Sequence, residues 1–478
     1  MLTVKQIRWN RFFPALIVCL LLLPASALAL ELRADAVTPF AENTITVISD
    51  TAGELTISAS CGGVTLEPPA SGHWVEAGTT KISWSALSWG GEPLREGTAA
   101  LYATLSASDG QKARAQLDVQ VKKPLSAVVC CLPVADAYYP GNQDKLRVEI
   151  GMSAPGGYVL SVAAADAPER VLWQRSGNNE ENFPAAMYWD GRTNGGQACA
   201  PGEYVLTAWS TRVPEVRQSH PLTILSAPPQ VPALSVTGPL LPADLSDDEA
   251  VWAALTAPIA VGEGYEGNGL YIHAQKSSNA EVVGTCSCRT VGLTVLEIGG
   301  DGWVRVGVWR QQDNVYVEGY VRRDEVRVIQ PSTRYGAVVD KRAQTMTIYE
   351  AGKPIGTMLV STGLVTPDTP RGETNSGAYL IGMRMATFIN NGSSYSYPLR
   401  IDGSNLIHQL GWSRSSSGRG FEEEIAMLGR KASHGCIRMD PRVTEECNGI
   451  NAWWVWTHLG RDTKVLVTED GNNPLLRR

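Results

Sequence analysis

Near its C-terminus the chain reads Ser433-His434-Gly435-Cys436-Ile437-Arg438, and these six residues hold the parts of an acyl-transfer reaction. A thiolate attacks a carbonyl carbon, backbone amides hold the oxyanion that forms, and a guanidinium fork grips a carboxylate. Cys436 is the candidate nucleophile and the amides of Gly435 and Cys436 the candidate oxyanion hole. Arg438, two positions further along the same extended face, is the candidate carboxylate contact.

A thiol with a free pKa of about 8.5 is only slightly ionised at neutral pH, so Cys436 needs a base. His434 shares its face at i−2, but a near neighbour on the same strand is badly placed to meet the sulfur in line. His408 closes the run Leu406-Ile407-His408 and reaches the sulfur from another strand. His408 is therefore assigned as base, and His434 is left to substrate contact or local hydrogen bonding. His458 falls in Trp453-Trp454-Val455-Trp456 and reads as core packing of a buried helix. A zinc site on His408, His434 and Cys436 would have three ligands and an open position. No carboxylate stands at ligand spacing to support it, so no metal or cofactor is expected.

The unit that must position these groups is placed at residues 333–470. It opens with Ala337-Val338-Val339-Asp340 and Thr345-Met346-Thr347-Ile348-Tyr349, then a strand runs to Ser361-Thr362-Gly363. Thr369-Pro370-Arg371-Gly372 is a tight turn. The pattern predicts a β-rich fold with loops around one groove.

With these turns, the Ser-His-Gly-Cys-x-Arg core resembles the L,D-transpeptidase family of cell-wall enzymes over roughly 130 residues. The resemblance implies that Cys436 is the acylated nucleophile, His408 the general base, and Ser433, His434, Gly435 and Arg438 the surrounding binding motif. A small residue usually follows the base histidine in the family; here Gln409 does, and it is counted with the substrate-binding set through its backbone. The resemblance further implies attack on the amide after the third residue of a peptidoglycan stem tetrapeptide, departure of D-alanine, and transfer to an amine of a neighbouring stem. Water as acceptor would make the same site an L,D-carboxypeptidase. The remaining alternative is a non-catalytic wall-binding protein.

The interval from His408 to Ser433 is longer than the family's usual one. Ser413-Arg414-Ser415-Ser416-Ser417-Gly418-Arg419-Gly420 is flexible by composition, and a helix with Phe421, Ile425 and Leu428 on one face follows. The stretch reads either as a lid or as an inert insertion.

The remainder is modular. A chain of 478 residues with 47 Gly, 28 Pro and only 19% charged residues predicts a mainly β, multidomain protein. Lys5, Arg8 and Arg11 precede an apolar run and Ala27-Leu28-Ala29, so residues 1–29 read as a signal peptide. An uncleaved anchor is the membrane alternative. Two segments repeat at an offset of 105 residues: Trp84, Gly91 and Gly97 answer Trp189, Gly196 and Gly202. Each reads as the last hairpin of a β-sandwich, giving units at 31–124 and 125–227. The second resembles the immunoglobulin-like module of flagellar hook-capping proteins. A linker with a short helix, capped by Ser246 with Glu249 reciprocating, covers 228–255. Residues 256–331, with Gly302-Trp303-Val304-Arg305-Val306, resemble a bacterial SH3 domain. Both module types are candidate wall binders. The net charge of −7 argues against a nucleic-acid partner. A secreted or cell-envelope location follows from the leader. Cys130-Cys131 and Cys286-x-Cys288 are poor metal spacings, which leaves buried thiols or a few disulfides.

Overall fold

The computed structural model describes residues 28–468 apart from 63, 89, 142–143, 181–183, 238–239, 243, 404, 416–417 and 445–446. The leader reading therefore lies, but for its last two residues, outside the described residues. Strands dominate and helices are few and short, as the composition predicts.

Residues 30–121 form two antiparallel sheets. Leu30–Ala34, Asn43–Ser49 and Gly78–Trp84 make one; Val64–Val75, Gly53–Cys61, Gly97–Ala107 and Lys112–Val121 make the other. Along Gly53–Cys61 every second residue is buried, the period of a strand with one face on a core. Leu55, Ile57, Leu101 and Ile45 from the two sheets meet in one cluster. Residues 128–224 repeat the plan with sheets of three and five strands around Trp189, Leu160 and Leu206.

The repeat extends to atomic detail. An isolated bridge joins Leu87 to Pro93 in the first copy and Arg192 to Ala198 in the second. Ser88 N donates to Glu92 O at 2.8 Å where Thr193 N donates to Gln197 O at 2.8 Å. The two loops are thus congruent, and they differ in what their side chains carry.

The predicted helix spans Asp248–Thr256, but its cap is Asp247, whose carboxylate accepts from Ala250 N at 3.0 Å. Ser246, expected there, donates instead to Asp244. Both residue types cap well, and the chain selects the one whose oxygen reaches the first turn. Residues 259–329 then form a five-stranded sheet of Val282–Ser287, Gly269–His273, Tyr316–Arg322, Trp303–Trp309 and Thr294–Ile298, beside a ladder of Ile259–Gly262 with Val326–Ile329.

The C-terminal unit is an eight-stranded sheet in the order Gly377–Leu380, Lys464–Val467, Tyr335–Asp340, Thr345–Glu350, Lys353–Ser361, Ile437–Met439, Leu406–Gln409 and Leu399–Arg400. Trp453 and Trp456 are buried in the helix Ala452–His458, and His458 stacks on Trp454 at 4.2 Å. Residues expected to be flexible before the motif form strands Gly411–Ser415 and Gly418–Gly420, which join the hairpin Thr387–Asn390/Ser393–Ser396. The helix expected after them is a single turn, Glu422–Ile425.

The units are fused. One hydrophobic cluster runs from Val129 through Ile272 and Val304 to Ile348, Ile437 and Trp456. Buried Arg384 donates to Glu149 at 3.1 Å and to the carbonyls of Trp456 and Leu459. Arg289 Nη2 donates to both carboxylate oxygens of Asp462, at 2.9 and 2.8 Å. All eight cysteines among the described residues are free thiols; only Cys436 is not buried.

Candidate active site

Leu406–Gln409 and Ile437–Met439 are adjacent parallel strands with Ile407 opposite Ile437 and His408 opposite Arg438. Paired residues share a face, as do i and i+2, so His408, Arg438 and Cys436 lie on one side. His408 and Cys436, which directly precedes the strand Ile437–Met439, are therefore about one diagonal step apart, on two adjacent segments.

His408 is 2% exposed. The Phe388 and Tyr395 rings stand edge-on to it at 5.4 and 5.0 Å. Its Nδ1 lies 2.6 Å from Gln409 O. A carbonyl only accepts, so Nδ1 carries the proton and Nε2 the lone pair. Burial pushes the imidazole down to about 4, with Arg438 acting in the same direction against the Gln409 hydrogen bond. The thiol of Cys436 is pushed up by burial, while a backbone hydrogen bond from Leu406 and the cations of Arg438 and Arg400 pull the other way. At neutral pH Cys436 is therefore a thiol and His408 a neutral imidazole.

The motif turn is pinned by the Ser361-Thr362-Gly363 segment. Ser433 N donates to Thr362 O at 3.0 Å and Leu364 N to Ser433 O at 2.9 Å. Thr374 Oγ1 donates to Gly435 O at 2.8 Å and accepts from Gly363 N at 2.8 Å. Beneath it a buried ion pair joins Lys341 to Glu373 at 2.9 Å. Gly435 has φ +118°, and a Cβ there would lie 2.5 Å from Asn405 Oδ1. Only glycine fits, for both reasons.

Two expected contacts are placed otherwise. Ser433 is 2% exposed, and its hydroxyl closes the turn, donating to Cys436 O at 2.5 Å and accepting from Gly435 N at 3.2 Å. Gln409 is fully buried with its side chain on the strand face opposite His408. It bonds Arg95 and, at 3.2 Å, Glu92 of the N-terminal unit. Only its backbone oxygen serves the site. His434 is exposed.

Arg438 is one-tenth exposed and faces Glu424 Oε2 at 3.6 Å and Met427 Sδ at 3.5 Å. Glu424 is anchored by Gly411 N at 2.8 Å. The stretch before the motif thus presents a carboxylate to the cation. Sequence reasoning missed Glu424, Phe388, Tyr395 and Thr374, since no local pattern sets them apart from ordinary helix, hairpin and loop residues. Among the described residues no group of three His, Cys, Asp or Glu side chains is placed to hold a metal ion.

Residues 334–467 match the YkuD family model, the L,D-transpeptidase catalytic domain. No curated protein matches the chain. Solved structures that resemble it include an L,D-transpeptidase from Mycobacterium smegmatis (13% identity, 45% of this chain and 100% of that one, TM-score 0.24). Another from Mycobacterium tuberculosis gives 14% identity, 45% and 99% coverage, and a TM-score of 0.23. The catalytic domain of the E. faecium L,D-transpeptidase gives 23% identity, 29% and 98% coverage, and a TM-score of 0.20. The matched segment spans the C-terminal unit and contains Cys436, His408 and the pinned turn.

Proposed function

We propose that the chain is a peptidoglycan L,D-transpeptidase that transfers the acyl group of a stem tetrapeptide through Cys436 to an amine of a neighbouring stem. The observation that carries this reading is a buried neutral imidazole of fixed tautomer on the strand paired with the one that Cys436 leads into, within a segment matching the L,D-transpeptidase catalytic domain. Nε2 of His408 takes the thiol proton as sulfur attacks the carbonyl after the third stem residue. The amides of Gly435 and Cys436 hold the oxyanion, Gly435 N turning from Ser433 to do so. Because imidazolium is a strong acid in this pocket, it readily returns its proton to the leaving D-alanine nitrogen. The acceptor amine attacks the thioester, His408 takes its proton, the C–S bond breaks, and the proton passes from His408 back to the departing Cys436 sulfur. Arg438 grips a donor carboxylate, and exposed His434 lines the approach.

In the same reading the duplicated units at 31–124 and 125–227 are immunoglobulin-like modules and 256–331 is an SH3-like module, and they hold the catalytic domain at the wall outside the cytoplasm. Incubation of purified muropeptides with the protein, followed by mass spectrometry, tests the reaction. Dimers linked through third residues are expected. Shortened monomers alone would replace the transpeptidase by the carboxypeptidase, and unchanged muropeptides with no adduct on Cys436 would leave a wall-binding protein.

A further inference from the structure

We propose that Glu92 and Arg95, in the first N-terminal β unit, are positioning residues for the Cys436–His408 site, acting through Gln409. The inference rests on the transferase reading above. Gln409 supplies the carbonyl that fixes the tautomer of His408, so whatever orients Gln409 orients the base. Both ends of its side-chain amide are held by residues more than 300 positions upstream. Its Oε1 accepts from Arg95 Nη2, and its Nε2 donates to Glu92 Oε1 at 3.2 Å.

Each clamp residue is itself tied into the catalytic domain. Glu92 accepts from Asn451 Nδ2 at 3.2 Å and is hydrogen-bonded to Tyr397. Arg95 also donates to Ser396 Oγ at 3.0 Å, in the hairpin whose Tyr395 ring flanks His408. Its guanidinium lies over the Trp412 and Phe421 rings at 4.9 and 5.1 Å, the residues that root the segment bearing Glu424. Gly62 lets that segment dock. Its carbonyl accepts from Phe421 N at 3.3 Å, and a Cβ there would collide with Trp412 at 2.1 Å. One arginine thus braces the base strand, the hairpin over it and the segment facing Arg438.

The duplicated loop supplies an internal control. The second copy has the same bridge and the same turn hydrogen bonds, yet Gln197 and Ala200 stand where Glu92 and Arg95 stand in the first. The loop therefore folds without the charged pair. What the pair adds are contacts with the C-terminal unit, the amide of Gln409 at their centre.

The test uses the full chain with Arg95→Lys and with the double variant Glu92→Gln/Arg95→Gln, which leaves no buried charge unpaired. Acylation of Cys436 by a carbapenem near neutral pH is followed by intact mass. Alkylation by iodoacetamide is followed from about pH 6 to about pH 10, across the usual thiol range. The double variant should melt as a folded protein but acylate about 10- to 100-fold more slowly, the scale of a slightly misplaced catalytic group. Its alkylation deficit should close as pH rises, because an ionised thiol needs no base. Arg95→Lys, which keeps the charge without the fork, should fall between. Wild-type rates in the double variant, or a deficit of constant size at every pH, would overturn the proposal. Failure of the transferase reading shows elsewhere, in a wild-type protein that alkylates but never acylates.

Discussion

His408 donates its Nδ1–H to the main-chain oxygen of Gln409 across 2.6 Å, a bond closed within one dipeptide. The neutral, Nε2-basic form of the ring is thereby built into the strand, and burial keeps it there by holding its pKa at about 4.

Acylation should follow that value. The rate of adduct formation on Cys436 is expected to be level from about pH 8 to about pH 5 and to fall tenfold per unit below the base's pKa of about 4. A limb centred near the ordinary histidine value, about 6.5, would show that the buried imidazole is not the base.

Stability should carry the same signature. The unfolded histidine titrates near 6.5 and the folded one near 4, so between these values the unfolded chain binds the extra proton. The contribution is complete above about 6.5, declines as pH falls, and is gone below about 4, a span of about 3 kcal/mol. Urea unfolding across this range should show a shallower pH slope for His408→Gln than for wild type.

Cys436→Ser should keep the fold and lose every covalent adduct with a tetrapeptide donor or a carbapenem. Intact mass reads this directly. Normal turnover by the variant would remove Cys436 from the mechanism.

Gly435→Ala should be damaging out of proportion to its size. The positive φ alone costs about 1–3 kcal/mol, and the new methyl would press on Asn405 Oδ1 at 2.5 Å. A lower melting temperature with loss of acylation is expected, whereas a silent variant would mean that the turn relaxes freely.

Glu424 and Arg438 make opposite predictions. Arg438→Ala should raise the donor KM roughly tenfold or more, the worth of one charge-assisted hydrogen bond, and change iodoacetamide reactivity less. Glu424→Gln removes the carboxylate 3.6 Å from that cation and should lower the donor KM. Equal losses of donor use and thiol reactivity in Arg438→Ala would assign the arginine to structure.

The candidate site was legible as a motif because it is contiguous: thiol, glycine and cation stand within four residues, and the resemblance rests on them. The duplication was legible for a similar reason, since tryptophan and glycine spacings survive in one dimension. The side-chain partners of Gln409 were not legible, because Glu92 and Arg95 are ordinary surface residue types in a distant loop. The Ser- and Gly-rich stretch before the motif carries no strand signal of its own. It becomes strand by pairing, with Ser394 opposite Trp412 and Tyr395 opposite Gly411, and tertiary pairing overrides composition in sheets. The helix cap moved by one residue between two good capping types, a choice that geometry makes and composition does not.

Seven of the eight described thiols are buried, and Cys436 alone among them is partly exposed. Toward a small water-soluble electrophile, the described part of the folded chain offers a single accessible thiol. The first equivalent of label counts competent active sites, and each later one clocks the opening of a module.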